Sequence, residues 1–156
     1  MRRQSIGILT VVLVFLVGCQ KSQVTMKTYT GEGFLVRIPE SVDVSKTTPV
    51  QDFNVYEFRQ QGKVILYAYA GNQPDFPSER LKGCRETAGA FKGFPQRVVE
   101  KKSGADAISK DVLMDFSRKT EWPQFVHFWY VENPARMATL ADEIIASTEF
   151  SARGEK

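Results

Sequence analysis

Two cysteines and a single histidine are all the thiol and imidazole chemistry in 156 residues. A structural zinc site draws four ligands from those residue types, so no metal is expected. Gly-x-Ser-x-Gly, the motif that exposes the nucleophile of common serine hydrolases, is absent. So are a phosphate-cradling glycine loop ending in Lys-Ser/Thr, His-Glu-x-x-His and Cys-x-x-Cys. No cofactor is implied, and the protein is not expected to be an enzyme. Charge of one sign is lacking too. The chain carries 21 basic and 18 acidic residues. Basic residues are scattered along it, which gives no electrostatic case for nucleic acid.

The apolar run at the N-terminus is short. After Met1-Arg2-Arg3, residues 6–17 are apolar except for Gly7 and Thr10. About twelve residues suit the ~7–15 of a signal-peptide core and fall short of the ~20 that a membrane-spanning helix needs. The run closes on Leu16-Val17-Gly18-Cys19 and turns polar at Gln20. This ending resembles the lipobox of bacterial lipoproteins. The resemblance implies diacylglycerol on the Cys19 thiol, cleavage before Cys19, and often acylation of the new amine. Thioether formation needs the nucleophilic sulfur, and two or more acyl chains give stable anchoring where one is marginal. Gln20, rather than Asp, follows the cysteine. That resembles the outer-membrane sorting class where a cell has two membranes. The expected address is the non-cytoplasmic side of the cell envelope, with the membrane itself a partner through the lipid.

Removing residues 1–18 leaves 138 residues with 19 basic and 18 acidic side chains, a net charge of +1. That length supports one domain with an ordinary core. Lipidation of Cys19 leaves Cys84 without an intramolecular disulfide partner. Residues 19–28 read as a tether, and the eight residues 20–27 reach at most ~26–29 Å when extended. One domain follows over 29–150, with a polar tail at 151–156.

Strands are expected where apolar residues alternate or run in short stretches. Phe34-Leu-Val-Arg-Ile38 stops at Pro39. Phe53-Asn-Val-Tyr-Glu-Phe58 and Lys63-Val-Ile-Leu-Tyr-Ala-Tyr-Ala70 flank Gln60-Gln61-Gly62 and form a hairpin. The second of these is apolar on both faces, as in a central strand. Residues 96–101, 108–116 and 125–131 follow as strands, and 41–50 reads as a loop or a frayed strand. A helix over 79–91 is suggested by Leu81, Cys84, Ala88 and Phe91, against the cost of Gly83 and Gly89. A C-terminal helix is marked by Asn133 as cap, Pro134 in the first turn, and Met137, Leu140, Ala141, Ile144, Ile145 and Thr148 on one face. The expected architecture is α+β: an antiparallel sheet of five to six strands covered by the C-terminal helix. The opening strand ending in Ile38-Pro39, the paired meander and the closing helix into Ile144-Ile145-Ala-Ser-Thr148 resemble the PsbP-like α/β sandwich family. That resemblance implies assembly, protein-binding or accessory roles.

Candidate functional residues are few. Trp122 lies in a polar loop before Pro123, where an aromatic ring suits an interaction surface. The turn at 72–77, with Asn72 at its start and Phe76 between prolines, is a second surface. Asp111 and Asp115 share one face of a strand, and a solvated face is the expectation there. His127 titrates near neutrality in principle, and a rival enzymatic reading pairs it with Cys84 or Asp115. Another rival is a small-ligand or lipid carrier, with a pocket between sheet and helix lined by Tyr67, Tyr69 and Trp129. The leading expectation is a non-enzymatic, membrane-anchored binding or accessory domain. It would engage an envelope protein partner through Trp122, Phe76 and Asn72.

Metabolic labelling with palmitate tests the anchor. The wild-type chain takes up label and Cys19→Ala takes up none; equal labelling of both would overturn the assignment.

Overall fold

A computed structural model describes residues 24–151 apart from Gln51 and Ala105. The signal, Cys19, the first part of the tether and the tail beyond Ser151 lie outside the described residues. Ten strands and one helix account for most of the rest. They are β1 (Met26–Thr30), β2 (Phe34–Pro39), β3 (Val42–Val50), β4 (Phe53–Gln60), β5 (Lys63–Gly71), β6 (Glu86–Phe91), β7 (Phe94–Ser103), β8 (Ala107–Asp115), β9 (Phe125–Pro134), α1 (Ala135–Ala146) and β10 (Glu149–Phe150). Their pairing gives a three-stranded sheet, β1-β2-β10, and a seven-stranded sheet, β3-β4-β5-β9-β8-β7-β6, antiparallel throughout. Helix α1 packs on β9, β5, β2 and β8 and completes the layer that the small sheet begins.

This is a β-sandwich with one helix, which corrects the expected α+β domain of five to six strands. Three segments account for the difference. Residues 42–50, in a span expected as a loop or a frayed strand because of its Asp, Ser, Thr and Pro, were not counted among the five to six strands. They form an edge strand instead, where Pro49 costs no ladder bond on a paired side, and buried Val42 and half-buried Val44 alternate with exposed Asp43 and Ser45. The helix expected over 79–91 is reduced to one 3₁₀ turn at Glu79–Leu81. Gly83 follows at φ +82° and breaks any helical path. Downstream, Lys92 and Gly93 both take positive φ, 49° and 85°, and close a two-residue turn between β6 and β7. The third segment is at the ends of the domain. Met26 and Lys27, within the span assigned to the tether, open β1, and Glu149–Phe150 adds β10 after the helix.

Alternation sets the core. Tyr56 and Phe58 of β4, Leu66, Ala68 and Ala70 of β5, Val126, Phe128 and Tyr130 of β9, and Val112 and Met114 of β8 point to one side of the large sheet. Against them stand Phe34, Val36 and Ile38 of β2 and Ala138, Ala141, Ile144 and Ile145 of α1. Phe34 is fully buried, with its ring edge-on to Tyr56 at 5.2 Å and to Phe128 at 5.6 Å. Such pairs add roughly 0.5–1.5 kcal/mol beyond the area they bury.

The helix begins one residue later than the sequence suggested. Asn133 does not cap it; Pro134 occupies that position without a side-chain bond. Asn133 is instead buried in β9 and donates its Nδ2 hydrogen to the Ile65 carbonyl at 2.7 Å. A buried amide without that partner would carry a desolvation penalty. The Tyr130 hydroxyl donates to Asp142 of α1 at 3.2 Å, and Lys110 reaches the same carboxylate at 3.0 Å. Burial first, then the nearby Asp142 carboxylate, pushes the Tyr130 phenol well above its ordinary range.

The large sheet and the small one run between the same two poles. Phe53, Gly71 and Phe125 are cross-strand neighbours at one end, where Pro123 closes on Gly33 in the turn between β1 and β2. Gln60 and Lys63 lie at the other end, beside Met26, which pairs with Pro39. The eight residues of β4 separate the poles by about 23 Å. The chain enters at the Met26 pole.

Truncating the centre of this core has a defined cost. Phe34→Ala lowers unfolding free energy by about 3–5 kcal/mol in urea titration, whereas exposed Thr28→Ala changes it by less than about 0.5 kcal/mol. Equal midpoints for the two variants would contradict the packing.

Candidate functional site

The connection from β5 to β6 creates the features of the outer sheet face. Three strands (β9, β8 and β7) separate those two in the sheet order, so the chain between them must cross the sheet. Residues 72–84 do so as a strap on the side away from the helix. Phe76 packs edge-on against His127 of β9, with ring centres 5.5 Å apart. The Ser78 N–H donates to the Asp111 carboxylate of β8. Leu81 is buried, with the 3₁₀ turn seated on β7 and β8. Arg97 of β7 stands over the Phe76 ring at 4.8 Å and is held by Glu86 of β6. The Arg97 guanidinium keeps the Glu86 carboxyl below its usual range.

The strap changes the reading of three residues. Asp111, expected on a solvated face, is fully buried beneath it. Asp115 does share that face, and takes the Ser117 N–H and hydroxyl in the turn that follows β8. His127 is 3% exposed, its Nε2 3.7 Å from Asp111 Oδ1. Nε2, that Oδ1 and the Ser78 hydroxyl are buried without a hydrogen-bond partner. The acid that His127 meets is therefore Asp111 rather than Asp115. Cys84, further along the strap, is half-buried. Phe76 covers the histidine instead of projecting outward. No local pattern marked Asp111 as covered: strand β8 places it between Ser109 and Leu113 on a face that is buried at all three positions, and the strap over it comes from residues 72–84.

Tyr67, Tyr69 and Trp129 line no space between sheet and helix. Tyr67 and Tyr69 of β5 pair with Trp129 and His127 of β9 on the outer face. The Tyr67 and Trp129 rings stack 5.1 Å apart, 10° from parallel, and border an open cleft of about 420 Å³ with Arg80.

Trp122 and Asn72 do come together. A cleft of about 320 Å³ at the pole far from Met26 is lined by Asp52, Phe53, Tyr69, Asn72, Gln73 and Trp122. The Phe53 and Tyr69 rings stack 5.2 Å apart and form one wall. The Trp122 indole N–H donates to the Asp52 carbonyl at 3.2 Å, which ties the 117–124 hairpin to the start of β4. Asn72 braces the same hairpin twice. Its Nδ2 donates to the Glu121 carbonyl at 3.1 Å, and its Oδ1 accepts from the Gln124 N–H at 3.0 Å. The Gln73 N–H donates to the Tyr69 hydroxyl at 3.0 Å. Thus Trp122 and Phe53 supply surface, while Asn72 positions it. Phe53 and Tyr69 were missed as a pair because their partnership depends on hairpin register, in which Phe53 faces Gly71 and Val55 faces Tyr69.

No group of three or more His, Cys, Asp or Glu side chains suited to a metal ion occurs among the described residues, and no helix there is long and apolar enough to cross a membrane. No protein family and no curated protein matches the chain.

Gly71 lets the aromatic wall stand where it does. A Cβ at that position would lie 2.4 Å from the Tyr69 hydroxyl and 2.7 Å from Phe53 Cβ. Gly71→Ala is expected to destabilise the fold by about 1–3 kcal/mol through overpacking. At Gly89 a methyl meets open space, and Gly89→Ala should shift stability by less than about 0.5 kcal/mol. Thermal melts of the two variants check this, and indistinguishable melting temperatures would refute the close-approach role.

Proposed function

We propose that the protein is a lipid-anchored binding or accessory domain of the cell envelope, and that it works through the Trp122 cleft. One observation supports this reading above others. Trp122 and Asn72, fifty residues apart in sequence, meet in one cleft whose rim is fixed by side-chain hydrogen bonds. Surface tryptophans seated in such pockets are over-represented among residues that dominate binding energy.

The location of the cleft adds to the case. Met26 lies seven residues after Cys19, a span of at most about 25 Å. With lipid on Cys19, the Met26 pole stays near the bilayer and the cleft opens about 23 Å beyond it, the length of β4. A partner in the envelope space can reach that pole without contacting the membrane. The near-neutral mature chain favours no charged polymer as partner.

A photoreactive residue introduced at Gln73, on the cleft, is expected to give a discrete crosslinked adduct in intact envelopes. The same probe at exposed Lys63, on the opposite pole, should not. Adding Trp122→Ala should reduce the Gln73 adduct at least ten-fold. Identical adducts from both positions, or an adduct indifferent to Trp122→Ala, would overturn the assignment of the surface.

A further inference from the structure

We propose that the Trp122 cleft binds a methylated ammonium group carried by a small soluble molecule; this rests on the cleft being the binding surface and names its ligand chemistry. Three aromatic residues, Phe53, Tyr69 and Trp122, line one space together with Asp52. Aromatic faces carry the negative end of the ring quadrupole and attract cations. Grouped rings are the usual receptor for quaternary ammonium groups, whose methyls also bury apolar area. The Trp122–Asp52 hydrogen bond holds the indole to the same residue that supplies the carboxylate.

Charge and hydrogen-bonding capacity both narrow the choice. Among the described residues no lysine or arginine lines the cleft, and no ion pair engages Asp52. An anion would face that carboxylate without a counter-charge. A neutral sugar would stack on the rings but would look for several amide donors and acceptors around its hydroxyls. Those groups are largely committed within the protein: both ends of the Asn72 amide, the Trp122 N–H and the Tyr69 hydroxyl each serve the rim. The Gln73 side chain and the Asp52 carboxylate have no hydrogen bond to another group among the described residues. A trimethylammonium group needs no directional donor or acceptor and gains from a carboxylate.

Size and position agree with a small ligand. About 320 Å³ sits at the lower end of the ~300–1,000 Å³ usual for small-molecule sites. Gly71 leaves room for the Tyr69 hydroxyl and the Phe53 side chain, so the pair stacks tightly as one wall. The same ammonium chemistry occurs on choline headgroups of lipids. The cleft opens at the pole opposite the chain's entry, which favours a dissolved molecule over the membrane in which the chain is anchored.

Calorimetric titration of the detergent-solubilised full protein decides the matter, with choline as probe and 3,3-dimethyl-1-butanol as its uncharged isostere. Choline is expected to bind at least ten-fold more tightly than the isostere. Asp52→Asn should weaken choline binding about ten-fold, and Trp122→Ala should abolish it, with melting temperatures of both variants near wild type. If Trp122→Ala fails to fold, Asp52→Asn alone carries the test, since Asp52 is exposed. Equal affinity for choline and the isostere, or no effect of Asp52→Asn, overturns the ligand class. Binding to phosphatidylcholine vesicles that exceeds binding to free choline overturns the soluble source. If no choline binds while the Gln73 crosslink still depends on Trp122, the ligand class fails and the binding surface stands. Loss of both removes both.

Discussion

A chain that leaves β5 in the middle of a seven-stranded sheet and resumes at its edge has to pass over three strands. That crossing is the constraint on which the outer face depends. It is met by side chains of quite different character: an aromatic ring against an imidazole, a backbone N–H on a buried carboxylate, and a leucine sunk against the sheet. Burying Asp111 is expensive unless the carboxylate is hydrogen-bonded, and the Ser78 N–H of the strap donates to it. The strap therefore cannot lift without exposing apolar surface and disturbing a carboxylate that was desolvated on folding. It divides the outer face into a covered half over β8 and β7 and an open half over β4 and β5, and the Trp122 cleft lies on the open side.

Legibility in the sequence followed the range of the interactions. The hairpin of β4 and β5, strands β2, β7, β8 and β9, and the last helix were all visible because each is specified by a local period and a local turn. Segment 42–50 stayed open between a loop and a frayed strand, since polar Thr and Ser on an edge strand look the same as a loop until a neighbour strand is known. Residues 79–91 misled for a different reason. Four apolar positions happened to fall at helical spacing, while the decisive residues were Gly83, which ends the 3₁₀ turn, and Lys92-Gly93, whose left-handed turn folds β6 back on β7. Local turn chemistry overrode an accidental period.

The candidate site divides in the same way. Trp122 stood out because a large ring in a polar loop is locally anomalous, and Asn72 because it opens a turn-rich segment. That the two share a cleft depends on a contact across fifty residues, which no local pattern encodes. Phe76 was singled out by the same local reasoning, yet it turns inward to cover His127. Its neighbours on the sheet, Arg97 and His127, come from strands far along the chain, and only their arrival decides which way the ring faces.

The double brace made by Asn72 has an energetic consequence. Loops that must order themselves around a ligand lose conformational entropy at the moment of binding, at roughly 0.5–1.5 kcal/mol for each rotamer-rich side chain immobilised. Here the loop after β5 and the hairpin carrying Trp122 are already joined by two hydrogen bonds from one amide, so that ordering cost belongs to folding. The cleft is preorganised: an occupant meets walls already in place, and no closing motion need gate its entry or exit. On the proposed reading, contact energy at the cleft goes into affinity rather than into ordering these two loops.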